Sequence, residues 1–101
     1  NIYPREIEEF LFSHPDVSEV QVFGVPDTRL GEEVCAWVVP TANSNVVPKT
    51  LQEFCVGQIA HFKVPQHIRI VDKLPMTITG KPQKFVMRDQ MIKELSGGSL
   101  D

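Results

Sequence analysis

The sequence predicts an α+β domain in which a small sheet of about three strands is covered by helices. Helical and strand periodicities follow one another in the order helix, strand, strand, helix, strand, helix, and no internal repeat interrupts them. The length of 101 residues allows one modest core but not a large enclosed active site, so a complete two-substrate enzyme is not expected. We expect one domain over residues 1–95 and a flexible tail over residues 96–101.

The first half of the chain is predicted to contain one helix and two strands. The stretch "IYPREIEEFLFSHP" has Pro4 where a first helical turn accepts proline, and it carries an inner stripe of Ile7, Phe10 and Leu11. The stretch "VSEVQVFGV" alternates as a strand does, whereas "EEVCAWVV" is a continuous apolar run, which predicts a strand buried on both faces. Between them, "PDTRLGEE" is predicted to be a turn.

The second half is predicted to contain two helices and a strand. The polar stretch "PTANSNVVPK" indicates an exposed loop, and "TLQEFCVGQIA" indicates an amphipathic helix that a Thr50–Glu53 capping box would start. The stretch "HIRIVD" is the third strand. The last helix is "KFVMRDQMIKEL", with Met87, Met91 and Leu95 on one side, a stripe that we interpret as packing.

Composition and charge narrow the classes of ligand. The chain is 42% hydrophobic and 23% charged, and no apolar run approaches the roughly 20 residues of a membrane span. Residues 1–60 carry three basic and nine acidic side chains, whereas residues 61–93 carry seven basic and two acidic ones. A basic half favours an anionic ligand. Nucleic acid is disfavoured, because the net charge is −3 and the aromatic residues are not interleaved with the cations, so a phosphate-bearing small molecule fits better.

The cysteines and histidines predict neither a disulfide nor a metal site. Cys35 and Cys55 lie within apolar patterns without CxxC spacing, which is typical of buried reduced thiols. The three histidines, His14, His61 and His67, do not form metal-ligand spacings with them. We therefore expect no metal site.

One loop, "LPMTITGKPQK", presents a lysine between a strand and a helix. It does not fit the phosphate-binding pattern G-x-x-x-x-G-K-[ST], because Pro75 stands at the first glycine and Pro82 at the metal-binding hydroxyl. The loop instead presents a single lysine, Lys81, between Gly80 and Pro82. Gly80 would let the backbone approach a ligand, and Pro82 would stiffen the chain where it leaves the loop. Two interpretations of Lys81 are open: a solvated surface charge, or a point charge that the loop delivers to a ligand site.

Four ordered stretches, "NIYPREIEE", "VFGVPDTRLGEEVCAWVV", "HFKVP" and "LPMTITGKPQKFVMRDQM", resemble the C-terminal domain of acyl-CoA synthetases in the adenylate-forming superfamily. The ending is most similar to acyl-CoA synthetases that act on medium-chain fatty acids. The resemblance implies that ATP and a carboxylate give an acyl-adenylate and pyrophosphate, after which coenzyme A displaces AMP. It also implies a large N-terminal domain that holds ATP, Mg²⁺ and the fatty acid, with this domain as a lid that closes on it.

The resemblance assigns roles to single residues. Lys81 matches the lysine that bridges the substrate carboxylate and the α-phosphate during adenylation, where a desolvated ammonium stabilises developing charge. Arg29 and Lys63 match positions near the coenzyme A face, although each is alternatively a surface cation. Lys84 and Arg88 recur in the family ending, and we interpret them first as a helix-start charge and an ion-pair residue. Asn1 to Tyr3 close a motif next to the family's hinge, and the chain departs from the family pattern at Val64, Gln66 and Pro82.

Two hypotheses remain from the sequence. The first is a ligase fragment, the lid of a fatty acid–CoA ligase, inactive when isolated and acting with its own N-terminal domain. The second is a free-standing module of the same fold that binds a nucleotide or a protein without catalysis. Lys81 favours the first. The resemblance favours an intracellular location in the mitochondrial matrix, with the cytoplasm as the alternative.

Overall fold

The structure, a computed structural model, describes residues 2–27, 29 and 31–97. The elements in chain order are α1 (Pro4–Phe12), β1 (Val17–Asp27), β2 (Gly31–Pro40), α2 (Pro48–Cys55), a 3-10 helix (His61–Lys63), β3 (His67–Ile70) and α3 (Lys84–Leu95). This order is the predicted one. The final residues of the predicted tail, 98–101, lie outside the described residues, so the bounds of the domain and of its tail stay a prediction.

The three strands form one mixed sheet in the order β1-β2-β3. β1 pairs antiparallel with β2, with Val20 opposite Val38 and Phe23 opposite Cys35, and β2 pairs parallel with β3. A parallel pair needs a long crossover connection, which the segment containing α2 and the 3-10 helix supplies. The predicted class, a small three-strand sheet covered by helices, is confirmed.

Each face of the sheet has its own hydrophobic core. Alternate side chains of a strand point to opposite faces, so Val34, Ala36 and Val38 pack with α1 and α2, whereas Cys35 and Trp37 pack with α3. The five residues from 34 to 38 are all buried. The prediction that this strand is buried on both faces is therefore confirmed.

Helix α1 is joined to the sheet by polar contacts as well as by its apolar side. Ile7 and Leu11 are fully buried, as the predicted stripe requires. On another side of the helix, Glu8 Oε2 accepts a hydrogen bond from the backbone N–H of Val22 at 2.8 Å and pairs with Lys84 Nζ at 2.8 Å. Glu8 therefore ties α1 to β1 and to the start of α3.

The predicted capping box of α2 is wrong. The helix begins at Pro48, and its N-cap, Val47, makes no side-chain cap hydrogen bond, so Thr50 and Glu53 lie inside the helix. Proline at the first helical position has a suitable fixed φ and lacks an N–H that would be unpaired there, which explains the earlier start. The helix also ends at Cys55, before Gln58 and Ile59, which the prediction had included.

Two further boundaries differ from the prediction. The turn predicted at "PDTRLGEE" is shorter, because the antiparallel pairing of β1 and β2 continues as far as Asp27 opposite Gly31. On α3, Met87 and Met91 are buried against the sheet, which confirms their packing role. Leu95 is 47% exposed, so its place in the buried stripe is wrong: it is the last residue of the helix, beyond the part that contacts the core.

Candidate functional site

The loop that carries Lys81 is a small closed hairpin. Met76 and Pro82 face each other in an antiparallel bridge, and the N–H of Gln83 donates to the carbonyl of Pro75 at 2.9 Å. Nearer the tip, the N–H of Thr77 donates to the carbonyl of Lys81 at 2.8 Å. Both arms are thus held by backbone hydrogen bonds, so the lysine backbone is fixed relative to the start of α3.

The tip of the hairpin is a tight turn in which Thr77 has a central role. The N–H of Gly80 donates to the carbonyl of Thr77 at 3.0 Å, and Gly80 has a φ of 88°. A residue of positive φ after a tight turn is a common hairpin design that favours glycine. The hydroxyl of Thr77 accepts a hydrogen bond from the N–H of Lys81 at 3.0 Å and lies 3.0 Å from the hydroxyl of Thr79.

The structure gives a backbone reason for Gly80, and the predicted close approach to a ligand stays a prediction. Within the described chain, a Cβ at Gly80 would have no atom within 4 Å, so the glycine is needed for its backbone conformation. Thr77 was not among the residues predicted to form the site. The signal was present in the spacing T-x-x-G-K, which places a hydroxyl four residues before the lysine.

Lys81 is exposed, and no hydrogen bond or ion pair with a described residue engages its ammonium. The cations Lys84 and Arg88 on α3, in contrast, both contact other parts of the domain. Lys84 pairs with Glu8, in line with a charge at the helix start, but the Arg88 side chain donates from Nε to the carbonyl of Gly24 at 2.9 Å. Among the described residues Arg88 forms no ion pair, so its predicted ion-pair role is not seen within the domain and stays a prediction. The two side chains anchor α3, and Lys81 stays available.

Lys63, on the 3-10 helix, is held within the domain. Its Nζ lies 2.7 Å from Glu6 Oε1, 4.4 Å from the centre of the Tyr3 ring and 5.7 Å from the centre of the Phe62 ring. Only 17% of its side chain is exposed. Tyr3 itself has a φ of 70° at the start of α1, and an ammonium over its ring is a favourable contact at this point. Lys63 therefore joins the start of α1 to the 3-10 helix.

Arg29 lies in the connection between β1 and β2. It is exposed, and its backbone N–H donates to Asp27 Oδ2 at 3.1 Å. The three predicted site residues thus lie on separate elements: the hairpin, the 3-10 helix and this connection. Among the described residues they share no hydrogen-bond partner. Lys63 and Lys84, two of the cations matched to the family, both contact α1, through Glu6 and Glu8.

The two cysteines are free and buried, in agreement with the predicted reduced thiols. Cys35 lies in the core under α3 and Cys55 in the core under α1, so they are on opposite faces of the sheet. Burial raises the pKa of Cys35 to about 12 and that of Cys55 to about 11. At neutral pH both are thiols that pack as small apolar groups.

Within the part of the chain that the structure describes, no group of three His, Cys, Asp or Glu side chains could hold a metal ion. In the same residues, no helix has the length and apolar character needed to cross a membrane.

A cleft of about 540 Å³ lies beside the base of the hairpin and not at Lys81. Trp37 lines it, and the Arg69 guanidinium is centred 5.3 Å from the indole ring while it pairs with Glu94 at 2.6 Å. The Trp37 Nε1–H has no acceptor among the described residues, but this atom is sealed from solvent. A ligand in the cleft could therefore not use the Trp37 N–H as a donor.

Comparison with known proteins identifies the group to which this hairpin and sheet belong. A family model described as the AMP-binding enzyme C-terminal domain matches residues 6–81. The mitochondrial medium-chain acyl-CoA ligase ACSF2 of Homo sapiens is 47% identical over 96 residues, which cover 95% of this chain and 16% of ACSF2. The chain therefore spans about a sixth of the length of this relative.

Solved structures give the same result. ATP-bound MatB from Rhodopseudomonas palustris superposes with a TM-score of 0.88 at 36% identity, over 93% of this chain and 19% of the MatB chain. The amide bond synthetase McbA from Marinactinospora thermotolerans gives a TM-score of 0.82 at 37% identity, over 88% of this chain and 18% of its own. The same domain thus occurs in enzymes named for different products, a thioester in one case and an amide in another.

Proposed function

We propose, from the premise that the chain belongs to the AMP-binding enzyme C-terminal domain family, that it is the lid of an acyl-CoA synthetase and supplies Lys81 to the adenylation step. The substrates in this proposal are ATP, a fatty acid of medium chain length and coenzyme A. The family relationship and the similarity to ACSF2 support the reaction class, whereas the role of each residue is our inference.

The observation that carries the proposal is the state of Lys81. Its backbone is held by hydrogen bonds to Thr77, yet its ammonium is exposed and has no partner among the described residues. A cation that serves the stability of its own domain is normally paired or packed, as Lys63 and Lys84 are here. Lys81 is therefore suited to a partner outside the domain.

The chemistry of adenylation explains why an ammonium is needed there. When a carboxylate attacks the α-phosphate, negative charge builds on the oxygens around phosphorus, and the carboxylate and ATP already repel each other. An ammonium between them lowers that repulsion, and it acts more strongly once closure excludes water. ATP and its Mg²⁺ would be held by the larger part of the enzyme.

The thioester step uses other residues in this proposal. Arg29 is exposed and could meet a phosphate of coenzyme A directly, as a cation at the rim of a site. Lys63 would have to exchange Glu6 for a coenzyme A phosphate, since it is already paired. Because McbA is named an amide bond synthetase, the acceptor in the second step is part of the proposal and not of the family relationship.

The decisive experiment replaces Lys81 in the full-length enzyme and measures each half-reaction in single turnover. Lys81→Ala should slow acyl-adenylate formation roughly a hundred- to a thousandfold, as loss of a donor to a developing oxyanion does. Lys81→Arg should restore little, since a planar guanidinium does not replace a compact ammonium. Thioester formation from supplied acyl-adenylate should persist. Lys73→Ala is the matched control, because Lys73 is also an exposed lysine that precedes the hairpin.

Equal loss in both half-reactions, or no loss in either, would reject the assignment of Lys81. The alternative function is a module that binds a nucleotide or protein without catalysis, and the match of Lys81 to the family's adenylation lysine favours the ligase over it. The isolated 101 residues should form no acyl-adenylate under either hypothesis, so only the full-length protein separates them. We also propose a mitochondrial matrix location from the similarity to mitochondrial ACSF2, with the cytoplasm as the alternative.

A further inference from the structure

We propose that Ile78 positions Lys81 for adenylation, by burying its side chain against an apolar wall of the ATP-holding part of the enzyme when the hairpin closes on it. This inference rests on the proposed lid function and names a contact that the lid must make. Ile78 would not touch the reacting atoms. It would act through the hairpin, by setting where the ammonium of Lys81 comes to rest.

The first observation is the exposure of Ile78. Its relative exposure is 105%, the highest among the large apolar side chains of the described residues. Single exposed apolar residues are common on protein surfaces, so exposure alone carries little weight. Here, however, Met76 on the same hairpin and Phe85 on the first turn of α3 are also exposed. The lysine thus has apolar side chains on either side of it in the sequence.

The second observation is the position of Ile78 within the turn. It is the second residue of the turn closed by the hydrogen bond from Gly80 N–H to the Thr77 carbonyl. Turn positions favour Gly, Pro, Asn, Asp and Ser, and a β-branched apolar residue fits strands better. The hydroxyls of Thr77 and Thr79, the residues on either side, bond to each other. The local fold therefore gives no reason for an isoleucine at this place.

The third observation is the rigid link between Ile78 and Lys81. The two residues lie three positions apart. Backbone hydrogen bonds join Thr77 to Lys81 and Gly80 to Thr77, and Met76 bridges Pro82 at the base of the hairpin. The hydroxyl of Thr77 holds the Lys81 N–H directly. A contact that fixes Ile78 against another surface therefore also fixes the lysine backbone.

The consequence for catalysis follows from these three points. A long lysine side chain on an exposed hairpin reaches a small region only if its backbone is held, and small displacements of catalytic groups reduce rates strongly. Burying an isoleucine provides such a hold without adding a charge to the site. It also removes water from beside the ammonium, which strengthens its effect on the developing charge.

The test uses two variants of nearly equal shape in the full-length enzyme, Ile78→Val and Ile78→Thr. Both are β-branched, so the hairpin is equally suited to either, and they differ in whether one branch is a methyl or a hydroxyl. With ATP and fatty acid saturating, Ile78→Thr should slow single-turnover adenylation roughly tenfold, and Ile78→Val should stay within about threefold. ATP affinity, thioester formation from supplied acyl-adenylate and the melting temperature should not change.

Val56→Thr is the matched control, because Val56 is an exposed valine after α2 and undergoes the same polar replacement. Its adenylation rate should equal that of the wild type. If Ile78→Thr adenylates as fast as Ile78→Val, or slows both half-reactions equally, the positioning role of Ile78 is overturned. Lys81→Ala, measured in parallel, separates the two ideas: if it still blocks adenylation, the lid function stands without Ile78, and if it does not, the lid function itself fails.

Discussion

Removing the charge of Lys63 should destabilise the domain, unlike the removal of an ordinary surface lysine. Its ammonium lies 4.4 Å from the centre of the Tyr3 ring and 2.7 Å from Glu6. A cation over an aromatic ring at a partly covered site is worth about 0.5–1 kcal/mol, and an ion pair with a half-exposed carboxylate about 0.2–1 kcal/mol. We therefore expect Lys63→Met, which keeps an apolar stem, to lower the free energy of unfolding by about 1–2 kcal/mol.

Thermal unfolding of the 101-residue domain, followed by circular dichroism, measures this effect. For a domain of this size a loss of 1 kcal/mol lowers the melting temperature by about 4–8 °C, so the expected decrease for a loss of about 1–2 kcal/mol is roughly 4–16 °C. Arg29→Ala is the control, because its exposed side chain should contribute less than about 0.5 kcal/mol. A Lys63→Met domain that melts within about 1 °C of the wild type would refute the argument from the ring and carboxylate contacts.

The same two variants, placed in the full-length enzyme, separate packing from coenzyme A binding. At low ionic strength, where an exposed charge is least screened, Arg29→Ala should raise the Michaelis constant for coenzyme A several-fold without a change in stability. Lys63→Met should change both quantities if Lys63 serves both roles. A change in stability with an unaltered Michaelis constant would leave Lys63 as a structural residue only.

Two further predictions concern titratable groups. Cys35 and Cys55 should react with a thiol reagent at pH 8 only after denaturation, since both are fully buried and burial raises their pKa values to about 12 and about 11; rapid labelling of the folded domain would contradict this. The hydrogen bond from Arg69 holds the pKa of Glu94 below its ordinary value of 4.5, so the pair stabilises the fold above that pH and loses its effect as the pH falls toward the folded pKa. Because both side chains are a third or more exposed, Glu94→Gln should cost only about 0.5 kcal/mol in urea unfolding at pH 7. This cost should decrease as the pH is lowered below 4.5, and a cost that does not change with pH would contradict the assignment.

The elements of the fold could be predicted because each depends on a local pattern. The run around Cys35 and Trp37 is apolar at every position, as expected of a strand covered on both faces. The Met87–Met91 spacing corresponds to one helical turn. The start of α2 was missed because two local signals competed, and Pro48 prevailed over the Thr50 capping pattern.

The partners of the cations could not be predicted in the same way. Lys63 bonds to Glu6 across 57 positions of sequence, and Arg88 bonds to Gly24 across 64. Such contacts depend on how the elements pack in three dimensions, and a single sequence carries no periodic signal of them. Lys81 differs because its support is local: Thr77, Gly80 and the lysine form one turn, so the loop was recognised from its residues although the role of the hydroxyl was not.

The hydrogen bond from the Val22 N–H to Glu8 has a consequence for the behaviour of the domain in solution. β1 forms one edge of the sheet, and the free N–H groups of an edge can pair with a strand from another molecule and start an aggregate. Glu8 occupies one of these groups in the middle of β1 and places a carboxylate beside the edge. An incoming strand would have to displace the hydrogen bond between Val22 and Glu8 and also the ion pair between Glu8 and Lys84. The same carboxylate that joins three elements thus also protects the molecule against self-association through this edge.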